Sequence, residues 1–287
     1  MRRILPAVIF AVMMLLMPQT AFAGAQEGLT LWFQNVLPAQ FPFMVCILFL
    51  MKSGVASGGA SAPALFLTGM LSGYPGGAKA VQVLYRQGRI SPSRLQWLMT
   101  FCNNSGPLFI VGTVGIGLFH SVEIGYILLA AHLLSAALTG WLYSFRGTGE
   151  IFHLTGKGTS IEKRPFGALL GECVAETSSV LISVGGFMML YCVLIRMGTL
   201  IFPAGHYFYG ILEMTNGVAQ LTQLPLWLSV PLSGALISMG GLSVYSQTCA
   251  VMYDTSFSGP GHLLAKCVQG LICGILLFVW AFTVGFA

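Results

Sequence analysis

Charge is what this sequence has least of: Asp, Glu, Lys and Arg together make 7% of 287 residues, and only eight residues are acidic. Soluble domains carry about 25% charged residues, so a chain of this length has too few to cover a water-facing surface. That shortage excludes most soluble enzyme classes. Metal ligands are short too, since the five histidines are scattered without an HExxH pair and the seven cysteines form no CxxC. No metal or other cofactor is expected, and the cysteines read as small buried hydrophobes. With no Ser/His or paired-aspartate constellation, the chain is not read as an enzyme. The net charge of +5 does not point to nucleic acid either, because the basic residues lie in short loops between apolar stretches, where they set topology.

What the chain has in quantity is apolar sequence, 56% of its residues. Apolar segments run roughly 4–23, 29–51, 62–81, 95–119, 123–145, 177–202, 206–222, 224–252 and 263–286. Two are defective as spans. Segment 62–81 holds Leu71-Ser72-Gly73-Tyr74-Pro75-Gly76-Gly77, and segment 206–222 holds Glu213-Met214-Thr215-Asn216-Gly217, so both carry breakers or polar groups midway. Each reads as a re-entrant hairpin. At the N-terminus, Arg2 and Arg3 precede an apolar run ending in Ala21-Phe22-Ala23, the layout of a cleavable signal peptide or of a first span; the uncleaved span is favoured.

A shift of 144 residues lays Val36, Leu37, Phe43, Met44, Leu50 and Gly54 on Val180, Leu181, Phe187, Met188, Leu194 and Gly198, and Lys52 on Arg196. It also lays Met70 and Gly73 on Met214 and Gly217, carrying the repeat into the hairpins. With the N-terminus inside and both defective segments as hairpins, Arg2, Arg3, Lys52, Lys79, Arg86, Arg89, Arg94, Arg146, Lys157, Lys163, Arg164 and Lys266 fall inside and only Arg196 outside. The expected fold is therefore all-α integral membrane, about seven transmembrane helices plus two re-entrant hairpins in an inverted repeat. Its divisions are an N-terminal transmembrane helix over 1–26, a first membrane repeat over 27–145, a cytoplasmic-side basic loop over 146–166 and a second, inverted repeat over 167–287.

A break inside a span persists only where protein or a wet cavity satisfies its backbone, so the breaks are candidate sites. Asn103, Asn104 and Ser105 precede Pro107 inside the fourth segment, where the amides can bind solute or merely cap a half-helix and bridge its neighbours. The tip Ser72, Gly73, Tyr74 to Gly77 offers backbone N–H groups with Lys79 beyond, an anion cradle in one reading and a snorkelling basic anchor in the other. In the second copy, Thr215 and Asn216 in the hairpin and Ser243 and Gln247 after Gly240-Gly241 mirror these clusters. Glu213 reads as a proton or cation coupling group or as a partner of Arg196. His132 reads as a packed histidine, and Glu172 and Glu176 as solvated interface positions.

The run Glu27-Gly28-Leu29-x-Leu31-Trp32 leading to Pro38 and Phe41-Pro42-Phe43, then Ser72-Gly73-Tyr74-Pro75-x-Gly77-Ala78-Lys79 and Phe101-Cys102-Asn103-Asn104-Ser105-Gly106-Pro107, resembles the YlbJ family of sporulation integral membrane proteins. Glu213-Met214-Thr215-x-Gly217 and Gly240-Gly241-Leu242-Ser243-Val244-x-x-Gln247 extend the resemblance over nearly the whole chain. The resemblance implies kinship with nucleoside-recognition or gate-domain membrane proteins, a role in spore formation, and transport of a small dicarboxylate, dipicolinate, between mother cell and forespore. The partners it implies are the lipid bilayer, a small anionic solute, and either further copies of the chain or other sporulation membrane proteins. The cell membrane, or that around the forespore, is the implied location. A non-transporting membrane scaffold for sporulation is the rival.

Overall fold

The computed structural model describes residues 4–53, 61–145, 165–203 and 206–284, and every regular element among them is helical. Arg2, Arg3 and nearly all of the basic loop 146–166 lie outside the described residues. The N-terminal apolar run is not one helix. Helix α1 (Leu5–Leu16) stops at Met17, whose φ of −129° leaves the helical region just before Pro18, a residue that cannot continue a hydrogen-bonded ladder. At 12 residues, α1 is about 18 Å long, well short of a hydrocarbon core of about 30 Å. From Pro18 the chain runs unbroken to Lys52 as α2, 35 residues that cross the expected boundary at 26. The turn Trp32–Val36 is π-helical, and it lies just before Pro38 removes one donor from the ladder.

After α2 come two short helices, α3 (Ala62–Ser72) and α4 (Gly76–Arg86), then α5 (Pro92–Phe101) and α6 (Leu108–Leu118), then the long α7 (Val122–Ser144). The order recurs. α8 (Phe166–Ile201) is long, α9 (His206–Tyr209) and α10 (Met214–Leu221) are short, α11 (Leu226–Met239) and α12 (Gly241–Val251) meet at a glycine pair, and α13 (Gly259–Val284) is long. Among the described residues, five helical stretches are long and apolar enough to cross a membrane: Pro18–Lys52, Val122–Ser144, Phe166–Ile201, Leu226–Val251 and Gly259–Thr283. Their outward faces carry large apolar side chains such as Leu134, Trp141, Ile182, Leu271, Phe278 and Phe282, a surface suited to lipid.

Glycines show how the short pairs fold. A Cβ on Gly69 of α3 would lie 3.4 Å from the Cα of Gly77 in α4, whereas eight residues of continuous helix would separate the two by about 12 Å. α3 and α4 therefore fold back on each other. In the second set a Cβ on Gly217 would lie 2.6 Å from the Cα of Gly210, so α10 folds back over the turn after α9. The second turn falls at 210–213 and the first at 73–75, so Gly217 lies within α10 while Gly73 precedes α4. The 144-residue register thus slips in the hairpins, because the second has shorter arms.

Corresponding long helices run in opposite directions. Gly24 and Gly28 of α2 meet Val193 and Met189 of α8 at backbone contact, so sequence advances on one helix as it recedes on the other. α13 is antiparallel to α11, with Gly270 against Ala235 and Gly274 near Pro231. α7 is parallel to α11, with Leu128 beside Gly234 and His132 bonded to Ser238, and is hence antiparallel to α13. One apolar core gathers Met44, Leu48, Leu84, Leu95 and Leu98, and another gathers Phe109, Ile110, Leu128, Ile237 and Val244. The break at 102–107 carries the chain from the first core to the second.

Candidate functional site

Each hairpin tip is seated on the broken helix of its own set. In the first set the carbonyl oxygen of Cys102 lies so close to Gly69 and Gly77 that a Cβ on either would overlap it. Asn103 then reaches the hairpin through its side chain, its Oδ1 accepting from the N–H of Ala78 at 3.2 Å. The N–H of Gly76 is taken by the carbonyl of Gly73 at 2.7 Å. The tip is thus no open anion cradle: part of its donor set is already filled by a side-chain oxygen and by its own turn. In the second set the donors lie on the other partner, as Leu242 and Ser243 at the start of α12 give their N–H groups to the carbonyls of Ile211 and Leu212, both at 2.8 Å.

A buried polar cluster is built around the first break. Asn103, Asn104 and Ser105 are all but inaccessible. Asn103 Nδ2 donates to Thr248 Oγ1 of α12 at 3.0 Å, and the N–H of Ser105 donates to His132 Nε2 at 3.2 Å. His132 Nδ1 lies 2.8 Å from Ser238 Oγ, so the imidazole links the break to α11. Tyr74 is buried and turns its hydroxyl toward the carbonyls of Ile237 and Ser238. Into the centre comes Lys266 of α13, donating to the Asn103 carbonyl, to Asn104 Oδ1 at 3.4 Å and to Gln269 Oε1 at 2.7 Å. Gln269 Nε2 closes the ring on Asn104 Oδ1 at 3.2 Å.

The remaining expected residues lie elsewhere. Ser72 bonds back to the Thr68 carbonyl, and Gly73 takes a φ of 71° at the turn. Lys79 bonds Glu176 of α8 at 2.6 Å and Gln82 at 2.8 Å, and Glu176 also holds Lys52, which reaches Glu172 at 2.8 Å. Glu172 and Glu176 are therefore ion-pair partners and not merely solvated positions. Glu213 caps α10, its oxygens accepting from the N–H groups of Thr215 and Asn216, and Arg196 pairs with Glu27 at 2.9 Å instead. Asn216 Nδ2 contacts Cys192 Sγ, and Gln247 Nε2 donates to Ser243 Oγ at 3.2 Å. Thr215 and Asn216 do not face Asn103 and Asn104 across one site.

They line a cavity of their own. One cavity, of about 190 Å³, is bounded by Pro75, Lys79, Gln82 and Arg86 of the first hairpin, Ser179 and Ser183 of α8, and Gln247 of α12. Another, of about 400 Å³, is bounded by Thr215, Asn216 and Ala219 of the second hairpin, Gln34, Asn35 and Ala39 of α2, and Leu108, Gly112 and Thr113 of α6. Each combines a hairpin of one set with the long helix and the distal half of the broken helix of the other. Asn35 and Ala39 stand 144 residues before Ser179 and Ser183. The first cavity is basic at its rim, and the second sets the amides Gln34, Asn35 and Asn216 in a mainly apolar lining.

Sporulation integral membrane protein YlbJ of Bacillus subtilis (strain 168) is 29% identical to this chain over 324 aligned positions, which cover 92% of the chain and 78% of that protein. The chain belongs to the YlbJ family. No family model matches the chain, and no solved structure matches it. Like its relative, this YlbJ-family chain is a multi-pass integral membrane protein.

Within this family member, Lys266 and Gln269 are the site residues that sequence reading missed. The charge count places Lys266 at the inside end of segment 263–286, yet it lies in the body of α13 at 2% exposure. The spacing Lys266-x-x-Gln269 inside an otherwise apolar helix was the available signal: two polar side chains three apart share a face and must be satisfied together. His132 is more than a packed ring, since both of its nitrogens are engaged.

Proposed function

We propose that this protein carries a small organic anion, with dipicolinate the first substrate to try, across a membrane during spore formation. It is a carrier rather than an enzyme, built from membrane spans and two re-entrant hairpins in an inverted repeat. What supports this most is the pair of cavities made from exchanged parts of the two sets, because two mirrored halves rocking about a shared centre can open one cavity while closing the other. The polar cluster at Asn103, Asn104 and Ser105 lies between the two apolar cores and is the natural meeting point. Lys79 and Gln247 on one side, and Thr215 and Asn216 on the other, would meet the solute on entry and exit. Ser72, Gly73, Tyr74 and Ser243 would shape the path, and Glu213 is the candidate coupling group. The sporulation setting, at the cell membrane or around the forespore, comes from the relative's name.

The test is uptake of labelled dipicolinate by proteoliposomes. Wild type should exceed empty vesicles, while Asn104→Ala and two cavity-filling variants, Ser183→Trp and Asn35→Trp, should each lose most of the signal. No uptake by any protein would end the dipicolinate claim. Full sporulation with both tryptophan variants in place would favour the non-transporting scaffold.

A further inference from the structure

Lys266 differs from the ion-paired cations among the described residues. Lys52 and Lys79 meet Glu172 and Glu176, Arg86 meets Asp254, and Arg196 meets Glu27. The Lys266 ammonium has only neutral oxygens: the carbonyl of Asn103 and the side-chain amides of Asn104 and Gln269. The face of the Tyr74 ring, 5.2 Å away, adds a weak cation–π attraction. Among the described residues, the titratable groups around it from the neighbouring elements are Tyr74, Cys102, His132 and Tyr245 and, on its own helix, His262; none is a carboxylate. An ammonium sealed in a membrane protein without a counter-charge is costly, and such residues mark substrate and ion pathways.

The surroundings point to what would supply the missing charge. Around the basic cavity Lys52, Lys79 and Arg86 are balanced by Glu172, Glu176 and Asp254, whereas the Lys266 ammonium meets only neutral oxygens. Pro75 lines that cavity and the adjacent Tyr74 lies against the ammonium. On its other side Lys266 faces a cleft between Tyr74, Val244, Tyr245 and His262 that has no room for a water. Three acceptors hold its three N–H donors, so an entering anion would take over one donor from an amide rather than fill a void.

We propose that Lys266 is the fixed charge that receives the carboxylate of the solute, at a subsite deeper than the basic cavity, with Asn104 and Gln269 holding the ammonium between loads. This rests on the carrier reading and names the chemical class the carrier selects: small monoanionic or dianionic carboxylates over their neutral isosteres.

Binding to purified protein in nanodiscs decides it, with dipicolinate and benzoate set against the corresponding diamide and benzamide. Wild type and Lys266→Arg should prefer the carboxylates by at least about tenfold, and Lys266→Gln should lose that preference, as expected when one partner of a desolvated charge pair is removed. Packing alone would not make the preference follow the charge. In wild type, the Lys266 Nζ nitrogen resonance, assigned by its absence from the Lys266→Arg spectrum, should shift on adding dipicolinate; this arm holds even where Lys266→Gln fails to fold. A retained preference in Lys266→Gln, no preference in wild type, or an unmoved Nζ resonance overturns the assignment. Liposomes separate the two readings. Undiminished uptake by Lys266→Gln sinks the Lys266 subsite and leaves the carrier, whereas charge-dependent binding without any uptake sinks the carrier and leaves the subsite.

Discussion

The two hairpins solve the same problem with opposite chemistry. Both tips press on the break of the following helix pair, and both must satisfy backbone groups where water is excluded. In the second set the backbone does this alone: the glycine pair at 240 and 241, with φ of 85° and 72°, turns the start of α12 so that its N–H groups meet the carbonyls of Ile211 and Leu212. In the first set the break stays open over 102–107 and a side chain, Asn103, completes the hairpin. A backbone solution fixes geometry and leaves nothing over. A side-chain solution leaves the other end of each amide free to face the centre, which is where Thr248, Gln269 and Lys266 meet it. The first break is thereby tied into the polar cluster that α12 and α13 complete, and the second break is left outside it.

The largest expected effect comes from wedging the first hairpin away from its break. Gly69→Ala would place a methyl group on the carbonyl of Cys102, backbone against backbone, with no flexible side chain to yield. A loss of about 3 kcal/mol or more is expected, at the upper end for overpacking. Thermal unfolding in detergent measures it, and a wild-type melting temperature would mean that the hairpin is not seated there.

The next test contrasts the two breaks directly. Asn103→Leu strands the buried N–H of Ala78 and removes the donor to Thr248, whose hydroxyl keeps the Val244 carbonyl, and should cost about 1–3 kcal/mol together with uptake. Gly241→Ala forces an alanine to a φ of 72° and should cost about 1–2 kcal/mol, with uptake kept in whatever protein folds. Equal loss of uptake per folded molecule in the two variants would erase the distinction between the two breaks.

Much of this was legible in the sequence. The breaks announced themselves because Gly73, Pro75, Asn103, Asn104 and Pro107 interrupt runs that are otherwise apolar, and the all-helical membrane fold followed from the shortage of charge. Lys266 was not legible as a core residue, since one lysine close to the start of an apolar helix reads as an interfacial anchor until the fold buries that end under Tyr74 and Asn104. Nor was the partner of Lys79: Glu176 lies 97 positions away, and only the packing of the first hairpin on α8 brings the two together. The slip of the repeat at the second hairpin had the same origin. A register read from apolar matches cannot see that α9 is four residues long.

Lys79 supplies a smaller test of the same comparison. Because Glu176 compensates it at a partly exposed site, the pair should behave as an ordinary ion pair at the end of α8. A double-mutant cycle of Lys79→Met with Glu176→Gln should give a coupling of about 0.5–1 kcal/mol, and stability should recover in the double variant. A coupling several times larger would move the candidate functional cation from Lys266 to Lys79.

The smallest effect concerns Asp254, in the loop between α12 and α13, which ties the far end of α4 to the second set through Gln82 at 2.9 Å and Arg86 at 2.7 Å. Partial desolvation pushes its carboxyl up, but the hydrogen bonds from Gln82 and Arg86 and the guanidinium charge outweigh it and hold the carboxyl below its ordinary 3.8. A depressed carboxylate contributes stability that is fully present above the unfolded value and is lost as pH falls through the lower folded value. Between pH 5 and 8, a span above that ordinary value of 3.8, the latch should be flat; below about pH 4 it should weaken as the folded carboxyl takes up its proton. Melting curves of wild type and Asp254→Asn should run parallel at neutral pH, offset by the lost pair, and converge in acid. Curves that stay parallel to the lowest measurable pH would show that the loop is held on α4 by packing and not by this charge.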